Sequence, residues 1–179
     1  MVPVKAIISA GMPGSGKEEF LEAIRPLDMP YVRMGDVVRE EKAARGSAQP
    51  TGDFAQAERE AHGGGVWALR TLDRMGTGPV VIDGCRSHAE VEAFRSALGD
   101  GLCVIALHSD PATRFQRLQR RAREDAPADM EEFRRRDDRE MAWGLARVIT
   151  LADVMVVNDS TLDEFHRRCL SAVEGVMRG

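Results

Sequence analysis

The stretch Val4-Lys-Ala-Ile-Ile-Ser-Ala-Gly-Met-Pro-Gly-Ser-Gly-Lys17 constrains this chain more than any other. It reads as a buried strand, a glycine-rich turn and the first residue of a helix. Gly11, Gly16 and Lys17 occupy their places in the phosphate-binding signature G-x-x-x-x-G-K-S/T, and Gly11, Met12, Pro13, Gly14, Ser15, Gly16, Lys17 and Glu18 form the candidate nucleotide loop. Glycines let such a loop curl with its N–H groups inward. The helix start offers further unpaired N–H groups, and Lys17 reaches outer phosphates as a point charge. The plainer alternative is a glycine-rich turn with an exposed lysine. The apolar run before the loop and the amphipathic run after it favour phosphate binding. Glu18 stands where the signature has a hydroxyl that sits on Mg²⁺. A carboxylate is also a hard-oxygen ligand, so Glu18 is expected either to join the metal or to point away from it.

Repeated apolar runs give the fold class. They fall at Val4–Ala10, Tyr31–Met34, Val80–Asp83, Leu102–His108 and Val154–Asn158, separated by helical patterns. This alternation predicts an α/β fold with a parallel sheet, whose sites lie beyond the C-terminal strand ends. With 179 residues, 43% hydrophobic and 30% charged, a single soluble domain over 1–179 is expected. The net charge of −4 gives no electrostatic case for nucleic-acid binding. No apolar run is long enough to span a bilayer and no signal-peptide pattern opens the chain, so no membrane association is expected. Cys85, Cys103 and Cys169 read as reduced core thiols of a cytoplasmic protein, and the histidines lack metal-ligand spacing.

Candidate residues cluster at the ends of these runs. Asp83 closes an apolar strand, as a metal-orienting acid does in phosphate-loop enzymes, with Gly84 and Arg86 just beyond; the alternative is a turn former. Gly35, Asp36 and Arg39 open a helix after the second strand, where Asp36 could equally be a cap. Gly63-Gly-Gly65 is expected to be a hinge or a plain loop. Asp110-Pro111 opens a helix rich in arginine, and a second charged helix follows the acidic Glu124–Asp129 segment. Arg120, Arg121, Arg123, Arg135, Arg136 and Arg139 are candidates to neutralise a transferring phosphoryl group, against a solvated charged face as the alternative. The lack of interleaved aromatics counts against a nucleic-acid patch. Asn158 is expected either to line a base pocket or to act as a turn residue.

These motifs fall in the order of the nucleoside monophosphate kinase group. Gly11–Lys17 resembles its phosphate loop. Met34-Gly-Asp-Val-Val-Arg39 is similar to the Thr-Gly-Asp-Met-Leu-Arg segment of adenylate kinases, in which the arginine holds the acceptor phosphate. Ile82-Asp-Gly-Cys-Arg86 is similar to their Leu-Asp-Gly-Phe-Pro-Arg, shorter by one residue, and Arg135-Arg-Asp-Asp138 resembles the Arg-Lys-Asp-Asp of the mobile lid. The stretches also resemble an archaeal family of uncharacterised adenylate-kinase-related proteins. Ala152–Glu164 looks instead like dephospho-CoA kinase.

The resemblance implies a three-layer P-loop NTPase fold with a five-stranded parallel sheet and small acceptor-binding (34–76) and lid (120–140) insertions. It implies ATP and Mg²⁺, with Glu18 and Asp83 at the metal. It also implies transfer to a small-molecule phosphate acceptor, foremost a nucleoside monophosphate, at Gly35, Asp36, Arg39, Asp83, Gly84 and Arg86. Two alternatives stay open. One is a dephospho-CoA kinase-like transfer with Asp36 as base; the other is a nucleotide-binding regulatory protein with little turnover.

Overall fold

Each apolar run becomes a strand of one parallel sheet in the computed structural model, which describes residues 4–121 and 126–178. The strands are β1 (Ala6–Ala10), β2 (Tyr31–Arg33), β3 (Val80–Asp83), β4 (Leu102–His108) and β5 (Val154–Val157), in the order β2-β3-β1-β4-β5. Among the described residues the helices are α1 (Lys17–Ala23), α2 (Met34–Ala44), α3 (Thr51–His62), α4 (Val66–Leu72), α5 (His88–Leu98), α6 (Pro111–Arg120), α7 (Met130–Ala142), α8 (Leu145–Thr150) and α9 (Leu162–Arg178). This is the α/β P-loop NTPase architecture. The expected strands hold with trimmed ends. β1 begins at Ala6, Met34 already belongs to α2, and β5 stops at Val157 because Asn158 turns toward the loop at the end of β1.

Both faces of the central strands β1, β3 and β4 are covered, which is why these are almost continuously apolar, whereas Tyr31 on edge strand β2 and Met155 on β5 are exposed. Alternate residues of β1 enter opposite cores. Ile8 packs with Ile82, Val104, Trp67 and Phe94 on one side. Ile7 packs with Val81, Ile105, Phe20 and Phe165 on the other. On α9 the buried residues Phe165, Cys169 and Val173 recur every fourth position, so one stripe seats the helix on the second core. Burying a side chain such as Phe165 contributes about 1.5–3 kcal/mol.

Local signals set the helix starts. Ser87 and Glu90 form a reciprocal capping box at α5. Asp110 accepts from the Thr113 backbone N–H at 3.0 Å, and Pro111 fills the first turn of α6. Hydrogen bonding from the Thr113 side chain first, and from its backbone N–H next, holds the Asp110 carboxyl below the usual carboxylate range. The Gly63–Gly65 segment serves close packing. A Cβ on Gly64 would meet the Ala89 side chain at 3.0 Å and one on Gly65 the Ala93 side chain at 2.9 Å, so these two glycines let the α3–α4 connection lie directly on α5. Helices α2, α3 and α4 are tied by Glu58, which accepts from Arg45 at 2.8 Å and Arg70 at 2.6 Å. The Arg70 guanidinium holds the Glu58 carboxyl below its ordinary value. Among the described residues, no helix is long and apolar enough to cross a membrane.

Candidate functional site

The loop between β1 and α1 has the backbone of an anion cradle. Gly14 and Gly16 adopt left-handed φ values of 82° and 112°. Both are also hemmed in: a Cβ on Gly14 would meet the Arg114 carbonyl at 2.8 Å, and one on Gly16 would meet Asn158 Nδ2 at 2.5 Å. Lys17 curls back over the loop, donating from Nζ to the Gly11 carbonyl at 2.6 Å and lying 3.5 Å from that of Met12. Burial pushes the Lys17 ammonium below its ordinary value, while the carboxylates of Asp83 and Glu140 oppose that shift.

Two side chains from distant parts of the chain support this loop directly, each held in turn by a further charged residue. Asn158, 5% exposed, donates from Nδ2 to the Ser15 carbonyl at 3.0 Å, and its Oδ1 accepts from Arg117 at 3.1 Å. Arg114 donates to the Pro13 carbonyl at 3.1 Å. The same guanidinium grips both oxygens of Asp137, at 2.9 and 2.5 Å, and lies over the Phe133 ring. Asn158 therefore braces the loop. Its amide is committed to backbone and arginine, and it does not line the cavity described next.

Sheet register places the central carboxylate. Asp83 ends β3, opposite Ser9 of β1 and Arg33 of β2. Ser9 Oγ lies 3.4 Å from one of its oxygens and Arg33 Nε 3.9 Å from the other. These partners orient Asp83 at the strand ends, close enough to Lys17 to stabilise its ammonium.

A cavity of about 580 Å³ begins at this loop and continues between α2, α3 and α7. Its loop side is lined by Gly11, Pro13, Gly14, Gly16, Lys17 and Glu18. Its far side is lined by Gly35, Arg39, Gln56, Arg59 and Trp67, with Asp83, Gly84, Arg86 and Glu140 between. Glu90, fully buried, orders the middle. It accepts from the backbone N–H groups of Arg86 (2.8 Å) and Ser87 (3.1 Å) and from Arg59 (3.0 Å). Cys85 also lines the cavity, but burial pushes its thiol well above its ordinary value, so it stays protonated and unreactive.

The structure thus brings together most of the residues expected from sequence, and leaves others out. Arg121 and Arg136 line the cavity, and Arg121 stands 3.6 Å from Glu18. Met12, Ser15 and Asp36 do not line it. Asp36 is instead paired with Arg39, three residues on along α2, which occupies the carboxylate expected as a base in the dephospho-CoA kinase-like alternative. Arg120 and Arg135 face solvent, with Arg135 in an i,i+4 pair with Glu131 at 2.7 Å, and Arg139 lies over the exposed Trp143 ring. None of these three lines the cavity, although Arg139 borders it through Trp143, which does. Arg123 lies outside the described residues. Asp137, in the segment resembling a mobile lid, is buried and bound to Arg114, so this part of the segment is anchored. Sequence reasoning counted Arg114 and Arg117 only among the arginines of a charged helix, and did not single out Arg33, Arg59, Glu90 or Glu140. The available signal was spacing: Asp137 and Glu140 lie three apart on one face of α7.

Comparison with known proteins bears on the family and the fold. A family model described as "AAA domain" matches residues 7–142. A UPF0200 protein of Hyperthermus butylicus is 42% identical over 179 residues, covering 94% of this chain and 95% of that protein. One of Thermoplasma acidophilum is 41% identical over 167 residues, covering 91% and 92%, and one of Saccharolobus solfataricus is 38% identical over 182 residues, covering 99% and 97%. In fold, the chain is similar to a gluconokinase from Sinorhizobium meliloti, with a TM-score of 0.66 at 17% identity over 97% of this chain and 94% of that one. It is similarly close to a shikimate kinase from Bacteroides thetaiotaomicron, with a TM-score of 0.66 at 14% identity over 95% and 98%. These matches give the core a P-loop kinase-like fold. The chain belongs to the UPF0200 family and carries its AAA domain at residues 7–142.

Proposed function

We propose that this protein transfers the terminal phosphoryl group of ATP to a small acceptor that itself carries a phosphate, foremost a nucleoside monophosphate. The observation that carries this reading is the continuity of one cavity from the Gly11–Lys17 loop to the Arg39 side. A donor phosphate on the loop and an acceptor near Arg39 would then meet beside Asp83 and Arg86. Catalysis of this kind is mostly positioning and charge neutralisation.

The residues present fit a nucleotide and its ion. The left-handed glycines open the cradle, and Lys17 would turn from the Gly11 carbonyl to the phosphates. Asp83 and Glu18 both line the cavity beside Lys17 and would hold Mg²⁺, Asp83 through water and Glu18 in place of the usual hydroxyl. That ion would neutralise charge on the phosphates. Arg39, Gly35, Asp83, Gly84 and Arg86 would bind the acceptor, and Arg121 and Arg136 would close over the transferring group and exclude water. The role of Asp36 is to hold Arg39: a phosphate acceptor needs no general base, and pairing with Arg39 agrees with that.

The test is ADP formation from Mg-ATP with AMP, CMP, UMP, GMP, dTMP, dephospho-CoA or no acceptor. Stimulation by a monophosphate is expected. In Arg39→Ala, acceptor use should fall at least about tenfold while ATP binding stays nearly intact. Stimulation by dephospho-CoA alone, or acceptor-independent turnover, would overturn the assignment.

A further inference from the structure

Helix α7 carries two carboxylates one turn apart that face two different parts of the site. Asp137 holds Arg114, which donates to the Pro13 carbonyl of the phosphate loop at 3.1 Å. Glu140, whose side chain is 8% exposed, lies 3.5 Å from the guanidinium of Arg86. Arg86 also lies over the ring of Trp143, three residues further along, at 5.3 Å. The backbone N–H of Arg86 is held from the opposite side by Glu90 at 2.8 Å. Arg86 is thus set at both ends of the residue: its backbone by α5 and its guanidinium by the end of α7.

We infer that Glu140 is a positioning residue: with Trp143 as a platform it holds the Arg86 guanidinium at the junction of the two ends of the cavity, and α7 thereby ties that arginine to the phosphate loop. Several observations converge. A carboxylate this buried is costly unless it is paired, and the Arg86 guanidinium stands 3.5 Å from it. A flexible guanidinium gains orientation from a carboxylate and an aromatic face together, because they restrict it from different directions. The helix that sets Arg86 is also locked to the loop through a two-pronged buried ion pair, so loop and arginine share one rigid support.

This inference rests on the phosphotransfer reading for its kinetic consequence, but not for its geometry. The test measures binding by calorimetry in the full chain, with ATP and with the monophosphate that stimulates best. Variants are Glu140→Gln, Glu140→Asp, Arg86→Ala and the Arg86→Ala/Glu140→Gln pair. Glu140→Gln should weaken acceptor binding about tenfold while ATP affinity changes less than about threefold, and the pair should be no worse than Arg86→Ala alone. Glu140→Asp, which keeps the charge, should recover part of the loss. Parallel loss of ATP and acceptor affinity, or multiplicative losses in the pair, would overturn the inference. If no monophosphate binds, the phosphotransfer reading fails and the geometry is read from Trp143 fluorescence, taken as wild type minus Trp143→Phe. Glu140→Gln must then alter that emission in the wild-type background and leave it unchanged in Arg86→Ala; an unchanged emission in both overturns the inference.

Discussion

Arg114 grips both carboxylate oxygens of Asp137, at 2.9 and 2.5 Å, directly beneath the carbonyl of Pro13. A buried pair of this kind is expensive to break from one side, because the surviving charge stays desolvated. Asp137→Ala should therefore cost about 3–5 kcal/mol in urea unfolding and lower ATP affinity with it. Replacing both partners with apolar residues, as Arg114→Met/Asp137→Leu, should cost far less stability yet still loosen the loop. Equal destabilisation by the single and double changes would contradict this.

Asn158 should behave as a brace. Asn158→Ala leaves the Ser15 carbonyl and the Arg117 guanidinium short of a partner, a loss of about 1–3 kcal/mol. Its effect on ATP should be indifferent to the base: ATP and GTP affinities fall by the same factor. A selective loss for one base, seen in competition binding, would restore Asn158 to a base pocket.

Gly16 offers a sharper test of the cradle. Alanine there meets both an unfavourable left-handed φ of 112° and a collision with Asn158 Nδ2 at 2.5 Å. The backbone penalty alone is about 1–2 kcal/mol. Gly16→Ala should retain its helical circular dichroism and lose nucleotide binding in calorimetry. Retained binding would mean the loop does not need this shape.

The loop and the sheet were legible in the sequence because each is a local pattern. The apolar runs gave all five strands to within two residues at either end, and the glycines with Lys17 gave the cradle. The placement of Asp83 and Arg86 at the cavity was legible because they sit at or just past the end of the third run, and that of Arg39 because it lies on the helix that follows the second. Asn158 was placed correctly at a strand end, but its role was not legible, because its partner Ser15 lies 143 residues away. Arg114 and Asp137 failed to stand out for a related reason. Helices α6 and α7 are full of charge, and only tertiary packing separates the buried Arg114 from the exposed Arg120. The expected lid arginines Arg135 and Arg139 were set apart from Arg136 by rotation around one helix, which spacing alone does not orient.

The cysteines give a prediction in pH. Burial pushes the Cys103 thiol up to about 11 and the Cys169 thiol up to about 12, above the ordinary value of 9.0. A group whose folded value is raised holds its proton longer in the native state than in the unfolded one. Its stabilisation is complete below about pH 9 and is lost as pH rises toward those folded values. Melting temperature should therefore fall with pH above 9, with a shallower slope in Cys169→Ala. Native thiols should also resist iodoacetamide at neutral pH and react once urea unfolds the chain; rapid native labelling of Cys169 would contradict its burial.

The central claim is that one cavity delivers a phosphoryl group from the Gly11–Lys17 loop to an acceptor beside Arg39. The most direct measurement follows the label from γ-³²P ATP, with the best-stimulating monophosphate present, and separates products by chromatography. The account predicts label in the acceptor, with little in inorganic phosphate, and a collapse of that transfer in Lys17→Ala. Label released only as inorganic phosphate, at a rate indifferent to acceptor, would contradict it.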